Sequence, residues 1–173
     1  MATIIDGKKL AQEIRAKLKI ECEELKQKGI LPKLAVIMVG EDKASQVYVR
    51  NKSKACNEIG IEFEEYLLNE NIKQKELIEL IEKLNKDTSI KGILLQSPIP
   101  KGLDINEAFR TIAPEKDVDG FNPVNVGKLS LNQDTFVSCT PYGIMKMFEE
   151  YNIDLEGKNV VILGRSNIVG KPL

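Results

Sequence analysis

The sequence predicts an α/β domain with a mostly parallel sheet flanked by helices, followed by the first βα unit of a second domain. Lys33–Gly40 and Gly92–Gln96 are nearly unbroken apolar runs, which are typical of parallel strands covered on both faces. Amphipathic helical patterns separate such runs, and this alternation is typical of a parallel sheet. We place the two units at residues 1–140 and 141–173.

The elements follow from local spacing and capping. The first helix begins after Asp6 and ends at Gly29, and its apolar residues recur close to the helical period. We expect it to bury Leu10, Ile14, Leu18, Cys22 and Leu25. After the strand Lys33–Gly40 we predict a helix that ends at Gly60 and a strand near 61–68. A helix that turns Leu77, Leu80, Ile81 and Leu84 inward follows, and then the strand Gly92–Gln96 and a helix near 105–112. The last predicted helix of this part has Thr140 as N-cap and Pro141 at its first position, and it runs to about Tyr151.

A glycine turn near the C-terminus predicts contact with phosphate. Lys158–Leu163 is an apolar run that we expect to form a buried strand, and Gly164, Arg165 and Ser166 follow it before a helix begins. A dinucleotide-binding Rossmann unit starts in this order, with phosphate at the helix N-terminus. The general G-x-G-x-x-G motif is incomplete, because Ser166 and Val169 replace two of its glycines. Arg165 and Ser166 suit an additional phosphate, as a charge and a hydroxyl donor beside backbone amides.

Composition excludes several classes of function. The 25 basic and 26 acidic residues nearly cancel, and neither sign forms a long block, which argues against a nucleic-acid surface or a polybasic membrane contact. No apolar run approaches the roughly 20 residues of a membrane span, and the N-terminus is unlike a signal peptide, so we expect a cytoplasmic protein. With three distant cysteines and no histidine, we expect no disulfide framework, no zinc site and no Ser-His or Cys-His catalysis.

Lys52 is the most informative residue, because it lies on a helical face that otherwise looks buried. Tyr48, Ala55, Cys56 and Ile59 share that face by their spacing. A buried ammonium must be paired, hydrogen-bonded or neutralised, and a lysine that gives up its proton easily can move protons near neutral pH. The alternative is snorkelling, in which the stem covers apolar surface and the amine reaches water.

Two loops are further candidates for a site. Gln96–Pro100 leaves a strand at its carboxyl end, where ligands of parallel sheets bind, although a plain rigid turn could have the same residues. In the polar loop Pro114–Pro123, Asp117 and Asp119 point the same way if the loop is extended. One of them could then accept hydrogen bonds from a ligand, and a solvated turn is the alternative. We reject calcium, because the loop lacks the glycine and glutamate of an EF-hand.

Together these segments resemble the bifunctional methylenetetrahydrofolate dehydrogenase/cyclohydrolase family across essentially the whole chain. The resemblance is specific, because several motifs occur in the family's order. They are Ser45–Cys56 followed by Ile59–Ile61, Gln96 with Pro98 and Pro100, Pro114–Gly120, Cys139–Pro141, and Gly164–Ser166 with Val169, Gly170 and Pro172.

The resemblance implies a folate domain paired with a Rossmann domain that binds NADP, with the active site between them. It implies oxidation of 5,10-methylenetetrahydrofolate with NADP, then hydrolysis of 5,10-methenyltetrahydrofolate to the 10-formyl form, in one-carbon metabolism and purine biosynthesis. The full-length enzyme would be a homodimer. Lys52 would assist the proton transfers, Gln96 would orient Lys52, and Tyr48 would pack against the folate. Asp119 would anchor the pterin and Pro98 would line the substrate site, and the implied cofactor residues are Gly164, Arg165 and Ser166, with no metal.

The sequence departs from the family in two side chains and in length. Ser97 stands where the family usually has an apolar residue, and Ser138 where it usually has proline; we interpret both as tuning. The chain ends at Leu173, so we expect a truncated form or proteolytic remnant in which Val160–Leu173 is weakly ordered or pairs abnormally. Such a form should lack NADP-dependent dehydrogenase activity. Two alternatives are a folate-binding module without turnover and an unrelated α/β nucleotide-binding domain in which Lys52 snorkels.

Overall fold

A three-stranded parallel sheet with helices on both faces forms the centre of the protein. In the computed structural model, which describes residues 2–173, the strands are β1 (Lys33–Val39), β2 (Glu62–Leu68) and β3 (Gly92–Leu95). β1 lies in the middle and pairs in parallel with both neighbours, so the strand order is β2-β1-β3. The predicted α/β class and the three predicted strands of the first unit are confirmed.

The helices are α1 (Gly7–Gln27), α2 (Lys43–Ile59), α3 (Gln74–Lys86), α4 (Ile105–Thr111), α5 (Pro123–Ser130) and α6 (Cys139–Glu150). Asp6 caps α1 by accepting the Lys9 N–H at 3.0 Å, and Asp42 caps α2 by accepting the Ser45 N–H at 2.7 Å. These bonds satisfy donors that the first turn of a helix leaves free. Over residues 2–173, no helix is both long enough and apolar enough to cross a membrane.

Alternate residues of β1 face two different apolar cores. Ile37 belongs to a cluster with Leu77 and Ile81 of α3, on the side of the sheet that α4 also covers. Val36 belongs to a second cluster with Val49 of α2, on the opposite side. Side chains alternate between the two faces of a strand, so a central strand covered by helices on both sides must be apolar throughout. Each large aliphatic side chain buried in this way stabilises the fold by about 1.5–3 kcal/mol.

The first helix is more exposed than the sequence predicts. Leu18 is 38% exposed, so the prediction that it is buried was wrong. Cys22 is buried, while Leu10, Ile14 and Leu25 are only partly covered. α1 packs against α2 and α6 rather than against the sheet. A helix that contacts other helices in an outer layer buries a narrower stripe than one that lies on a sheet.

α5 was not predicted, because Asn122 and Pro123 were assigned to the preceding loop. Asn122 is the N-cap of this helix, and its Oδ1 accepts the Val124 N–H at 2.8 Å. Pro123 occupies the first helical position, where its missing N–H costs nothing. An asparagine cap followed by proline was therefore the available signal for this short helix.

The last helix begins two residues before the predicted start. Ser138, not Thr140, is the N-cap of α6, and Pro141 is the third residue of the helix. Proline is tolerated there because the first-turn N–H groups have no partner within the helix. The Ser138 side chain does not cap the helix but donates a hydrogen bond to the Ile168 carbonyl at 2.6 Å.

The buried strand predicted for residues 158–163 does not form. Val161 is 83% exposed and Leu163 is 97% exposed, and within residues 2–173 no strand pairs with this segment. A strand is completed by hydrogen bonds to a neighbour, so an apolar run without a paired neighbour stays irregular. The helix predicted to follow is also replaced by turns over residues 167–172.

Candidate functional site

The amine of Lys52 is directed towards the end of β3. Its Nζ donates a hydrogen bond to Gln96 Oε1 at 2.9 Å. Gln96 follows β3 directly and is only 9% exposed. Its Nε2 donates to the Ser97 carbonyl at 2.7 Å, and this bond leaves Oε1 to face the lysine. Snorkelling alone does not describe Lys52, because its amine donates a hydrogen bond to the fixed side-chain amide of Gln96 rather than only reaching water.

The stripe predicted to be buried on α2 is confirmed at Cys56 and Ile59 but is displaced by one residue at its start. The buried residues of this helix are Ser45, Val49, Cys56 and Ile59, whereas Tyr48 is 63% exposed. Lys52 is partly buried and lies at the margin of this stripe. The prediction that Tyr48 lies on the buried face was wrong, because Val49 rather than Tyr48 packs on the sheet.

The start of α2 and the exit from β3 are joined near the amine. Ser45 is 2% exposed, and its hydroxyl donates to the Ser97 carbonyl at 3.5 Å. Both bonds to Ser97 involve its backbone, so the departure from the family in its side chain leaves them intact. Pro98 follows on the surface and is exposed. Ser45 had no predicted role of its own, although its place three residues after Asp42 is typical of the first turn of a capped helix.

Asp119 faces the same region from the loop after α4. Burial raises the pKa of its carboxyl group, the charge of Asp117 raises it further, and the charge of Lys52 opposes both effects. The Cys139 thiol lies 4.0 Å from Asp119 Oδ1 and donates towards it. Burial of this thiol, followed by the charge of Asp119, raises the Cys139 pKa, and Lys52 again opposes the shift. The protein therefore gathers one amine, one carboxyl group and one thiol, and the exposed Tyr48 lies one helical turn before the amine.

Asp117 has a different role from Asp119. The loop between them is a tight turn rather than an extended segment, because the Gly120 N–H donates to the Asp117 carbonyl at 3.1 Å. Asp117 is 2% exposed, and its carboxylate accepts hydrogen bonds from Asn122 and Asn125. The extended loop in which both aspartates would point the same way does not form, and the protein itself uses the oxygens of Asp117.

The residues predicted to hold a cofactor, Gly164, Arg165 and Ser166, line a cleft next to α6. Ser166 Oγ accepts the Val169 N–H at 3.1 Å and the Gly170 N–H at 3.4 Å. A Cβ atom at Gly170 would collide with the Gly164 carbonyl oxygen, so this close approach requires glycine. The cleft, about 520 Å³ in volume, is lined by these residues, Arg165 and apolar side chains of α6. A glycine turn that brings backbone amides together beside an arginine suits a phosphate group.

Comparison with known proteins shows two matching family domains. Residues 5–119 match the catalytic domain of tetrahydrofolate dehydrogenase/cyclohydrolase, and residues 138–173 match its NAD(P)-binding domain. The bifunctional protein FolD of Acetivibrio thermocellus is 55% identical over 172 residues, which are 99% of this chain and 60% of that protein. The FolD of Oceanobacillus iheyensis is 51% identical over 173 residues, which are 100% of this chain and 61% of that protein.

Solved structures have the same fold. The bifunctional enzyme FolD of Campylobacter jejuni superposes with a TM-score of 0.97 at 51% identity, covering 98% of this chain and 61% of that one. A Trypanosoma brucei methylenetetrahydrofolate dehydrogenase-cyclohydrolase, solved with NADP and an inhibitor, gives 0.94 at 36% identity, covering 99% of this chain and 59% of that one. The chain thus spans about 60% of the length of the relatives that it matches.

Proposed function

Because the chain belongs to the tetrahydrofolate dehydrogenase/cyclohydrolase family, we propose that it forms the folate site of an enzyme that oxidises 5,10-methylenetetrahydrofolate with NADP and hydrolyses 5,10-methenyltetrahydrofolate. The observation that carries this proposal is the hydrogen bond of 2.9 Å between Lys52 Nζ and Gln96 Oε1, beside the exposed Tyr48 ring. Residues 1–140 are proposed as the folate domain and residues 141–173 as the start of the NADP-binding domain.

The proposed hydrolysis needs a group that moves protons. Water adds to the carbon between N5 and N10 of the substrate, and the bond from this carbon to N5 then breaks. One water proton passes to N5 and the other is released to solvent, so that a formyl group remains on N10. Lys52 is the proposed carrier, because the Gln96 oxygen fixes its amine beside the open face of α2. A positioned acid–base group contributes about 100- to 10,000-fold to such a rate.

Folate recognition is assigned to Tyr48, Asp119 and Pro98. The Tyr48 ring is exposed one helical turn before Lys52 and offers a face for stacking. A carboxylate such as Asp119 matches the adjacent N–H donors of an aminopyrimidine ring. Pro98 lies at the surface where the chain leaves β3 and is the proposed edge of the substrate site.

NADP is the proposed cofactor. Its phosphates fit the turn at Gly164, Arg165 and Ser166, since the close approach at Gly170 leaves no room for a side chain and Arg165 lines the same cleft. When bound, NADP supplies the acceptor for the hydride of the methylene carbon. The chain's own contribution is to hold the phosphates and to keep the folate oriented through Asp119 and Tyr48.

The full-length protein is proposed to be a homodimer in the cytoplasm. β2 is one of the two edge strands of the three-stranded sheet, and Leu67 near its end is 63% exposed. An unprotected edge strand with an exposed apolar side chain is suited to pairing with a second copy. The composition, with 25 basic and 26 acidic residues, is nearly neutral, which argues against a polybasic contact with a membrane surface.

Lys52→Met tests the proposed activity, with Lys54→Met as the matched control on the exposed side of the same helix. Hydrolysis of 5,10-methenyltetrahydrofolate is followed by its absorbance, beside folate binding measured by calorimetry. We expect Lys52→Met to lower turnover by about 100- to 10,000-fold and Lys54→Met to leave it unchanged. Equal turnover in the two variants would remove Lys52 from the mechanism. Folate binding without turnover in the original chain would instead indicate a binding module.

A further inference from the structure

The loop that carries Asp119 is closed at both ends by one buried residue. Asp117 Oδ1 accepts the Phe121 N–H at 3.2 Å, and Oδ2 accepts the Asn122 N–H at 2.8 Å. The Asp117 carbonyl also accepts the Gly120 N–H at 3.1 Å. Asp119 lies between these attachment points. Its backbone is therefore held by bonds that all converge on Asp117.

Burying a carboxylate costs free energy, so a charged side chain is unexpected at a residue that only closes a turn. Asp117 is 2% exposed, and a buried carboxylate needs several donors to offset the loss of hydration. The third donor is Asn125, whose Nδ2 donates to Asp117 Oδ2 at 2.8 Å. Bonds to an ionised acceptor are shorter and stronger than neutral ones. The arrangement produces a rigid loop at the cost of burying a charge.

Asn125 is itself held by two further bonds. Its Nδ2 also donates to the Pro114 carbonyl at 2.9 Å, and its Oδ1 accepts the Thr135 hydroxyl at 2.9 Å. On the opposite side of the loop, Gly120 has φ 67°, and a Cβ atom there would lie 2.6 Å from the Phe136 carbonyl oxygen. The loop is thus enclosed between α5 and the segment that precedes α6.

The same loop is attached to the strand that leads to Gln96. The Ile93 N–H donates to the Lys116 carbonyl at 2.7 Å, and Ile93 forms an isolated bridge with Asp117. Gln96, which receives the Lys52 amine, follows three residues after Ile93 in the chain. The position of Asp119 and the position of the amine are therefore both set relative to β3.

We propose that Asp117 is the positioning residue for Asp119, fixing that carboxyl group relative to the Lys52–Gln96 pair through the buried network with Asn122 and Asn125. This inference rests on the proposed function for the role of Asp119 in folate binding. It adds that a residue with no access to the ligand controls how well the ligand is held. Since Asp117 is charged, it also acts on the ionisation of its neighbour.

The ionisation of Asp119 provides a readout that a purely structural role would not change. The groups facing it are Lys52 from α2, Cys139 from α6 and Asp117 from its own loop. The negative charge of Asp117 raises the Asp119 pKa, as burial does. Removing that charge, or loosening the loop so that water reaches Asp119, should lower the Asp119 pKa. Folate binding, which needs the ionised carboxylate, should then persist to lower pH.

Asp117→Asn is the direct test, because it keeps the side-chain size, removes the charge and replaces one acceptor by a donor. Asp134→Asn, an exposed carboxyl group outside the loop, is the control. The probe is 5-formyltetrahydrofolate, with affinity measured by calorimetry across pH and Asp119 followed by carboxyl-carbon NMR. We expect Asp117→Asn to weaken binding about 10-fold or more near neutral pH and to lower the Asp119 pKa, while Asp134→Asn changes neither.

Affinity within twofold of the original, together with an unchanged Asp119 titration, would overturn the proposal. If Asp117→Asn does not fold, Asn125→Ala replaces it, since it keeps the charge and removes one donor. Weaker probe binding in that variant supports the proposal, and unchanged binding overturns it. If the original chain binds no probe, the proposed function fails. The NMR titration of Asn125→Ala then decides the positioning role independently, because that variant keeps the Asp117 charge: a changed Asp119 pKa supports the role and an unchanged one overturns it.

Discussion

Lys52 obtains its position from a residue 44 places later in the chain, not from its own helix. The Gln96 amide is nearly buried and holds the amine at 2.9 Å, while its other end is fixed on the Ser97 carbonyl. Local spacing correctly placed Lys52 near a buried face, but it did not show that the face is shifted from Tyr48 to Val49. The partner of a side chain depends on tertiary contacts, so it could be named only through family resemblance.

Ser138 is a residue at which departure from the family has a visible consequence. Where the family usually has proline, the Ser138 hydroxyl donates to the Ile168 carbonyl at 2.6 Å, a bond that proline cannot make. We expect Ser138→Ala to remove about 0.5–1.5 kcal/mol of local stability. Hydrogen exchange of residues 166–170 should become faster while the sheet is unaffected.

The control for this prediction is Ser130→Ala. The Ser130 hydroxyl bonds only within its own helix, to the Val126 carbonyl at 3.0 Å, so exchange of residues 166–170 should not change. Equal exchange of these residues in the Ser138→Ala variant and in the original chain would show that the bond to Ile168 does not order the turn.

Among the elements, those with a complete local signal were predicted and those that depend on distant partners were not. β1, β3 and α3 carry unbroken apolar runs or a clear helical period, and all three form as expected. The run at residues 158–163 has an equally clear signal, yet it remains unpaired within residues 2–173. Apolar composition permits a strand, but hydrogen bonds to a neighbour complete it.

β2 contains a tyrosine whose proton is held unusually tightly. Burial and a hydrogen bond to Glu64 raise the pKa of Tyr66 to about 12. An unfolded tyrosine ionises near pH 10, so the folded state retains the proton over a range in which the unfolded state loses it. The stabilisation is complete below about pH 10 and disappears as pH rises through about 12.

The free energy of unfolding of the Tyr66→Phe variant should therefore fall less steeply above about pH 10 than that of the original chain. Urea denaturation at pH 8, 10 and 11 would measure the free energy of unfolding, with Tyr142→Phe, an exposed tyrosine on α6, as the control. We expect the difference between the original chain and Tyr66→Phe to shrink as pH rises. A difference that stays constant with pH would mean that the Tyr66 hydroxyl does not titrate differently in the two states.

For the whole molecule, the parallel sheet determines where the proposed site lies. Gln96 follows the carboxyl end of β3, and α2 with Lys52 follows the carboxyl end of β1, which is the edge where parallel sheets bind ligands. The sequence was sufficient to predict this edge and its candidate residues. The local pattern alone did not distinguish Asp117 from Asp119, and only the family resemblance selected Asp119, because the donors from Asn122 and Asn125 become available only once α5 has formed.

The proposed dimer can be tested at the edge of β2. Leu67→Lys places a charge on the exposed edge position, which natural edge strands use to prevent pairing. Leu131→Lys, at a similarly exposed leucine after α5, is the control. Sedimentation of the full-length protein should show dissociation only for the first variant. A dimer that survives Leu67→Lys unchanged would place the interface elsewhere.

The central claim is that α2, the exit from β3 and the Asp119 loop form one folate site. Calorimetry of the 173-residue chain with 5-formyltetrahydrofolate tests it most directly, comparing Asp119→Ala with Glu115→Ala, an exposed carboxyl group in the same loop. The loss of hydrogen bonds to a charged group should weaken binding by about 1–3 kcal/mol in the Asp119 variant, with no change in the Glu115 variant. Equal affinity in Asp119→Ala and the original chain would contradict the claim.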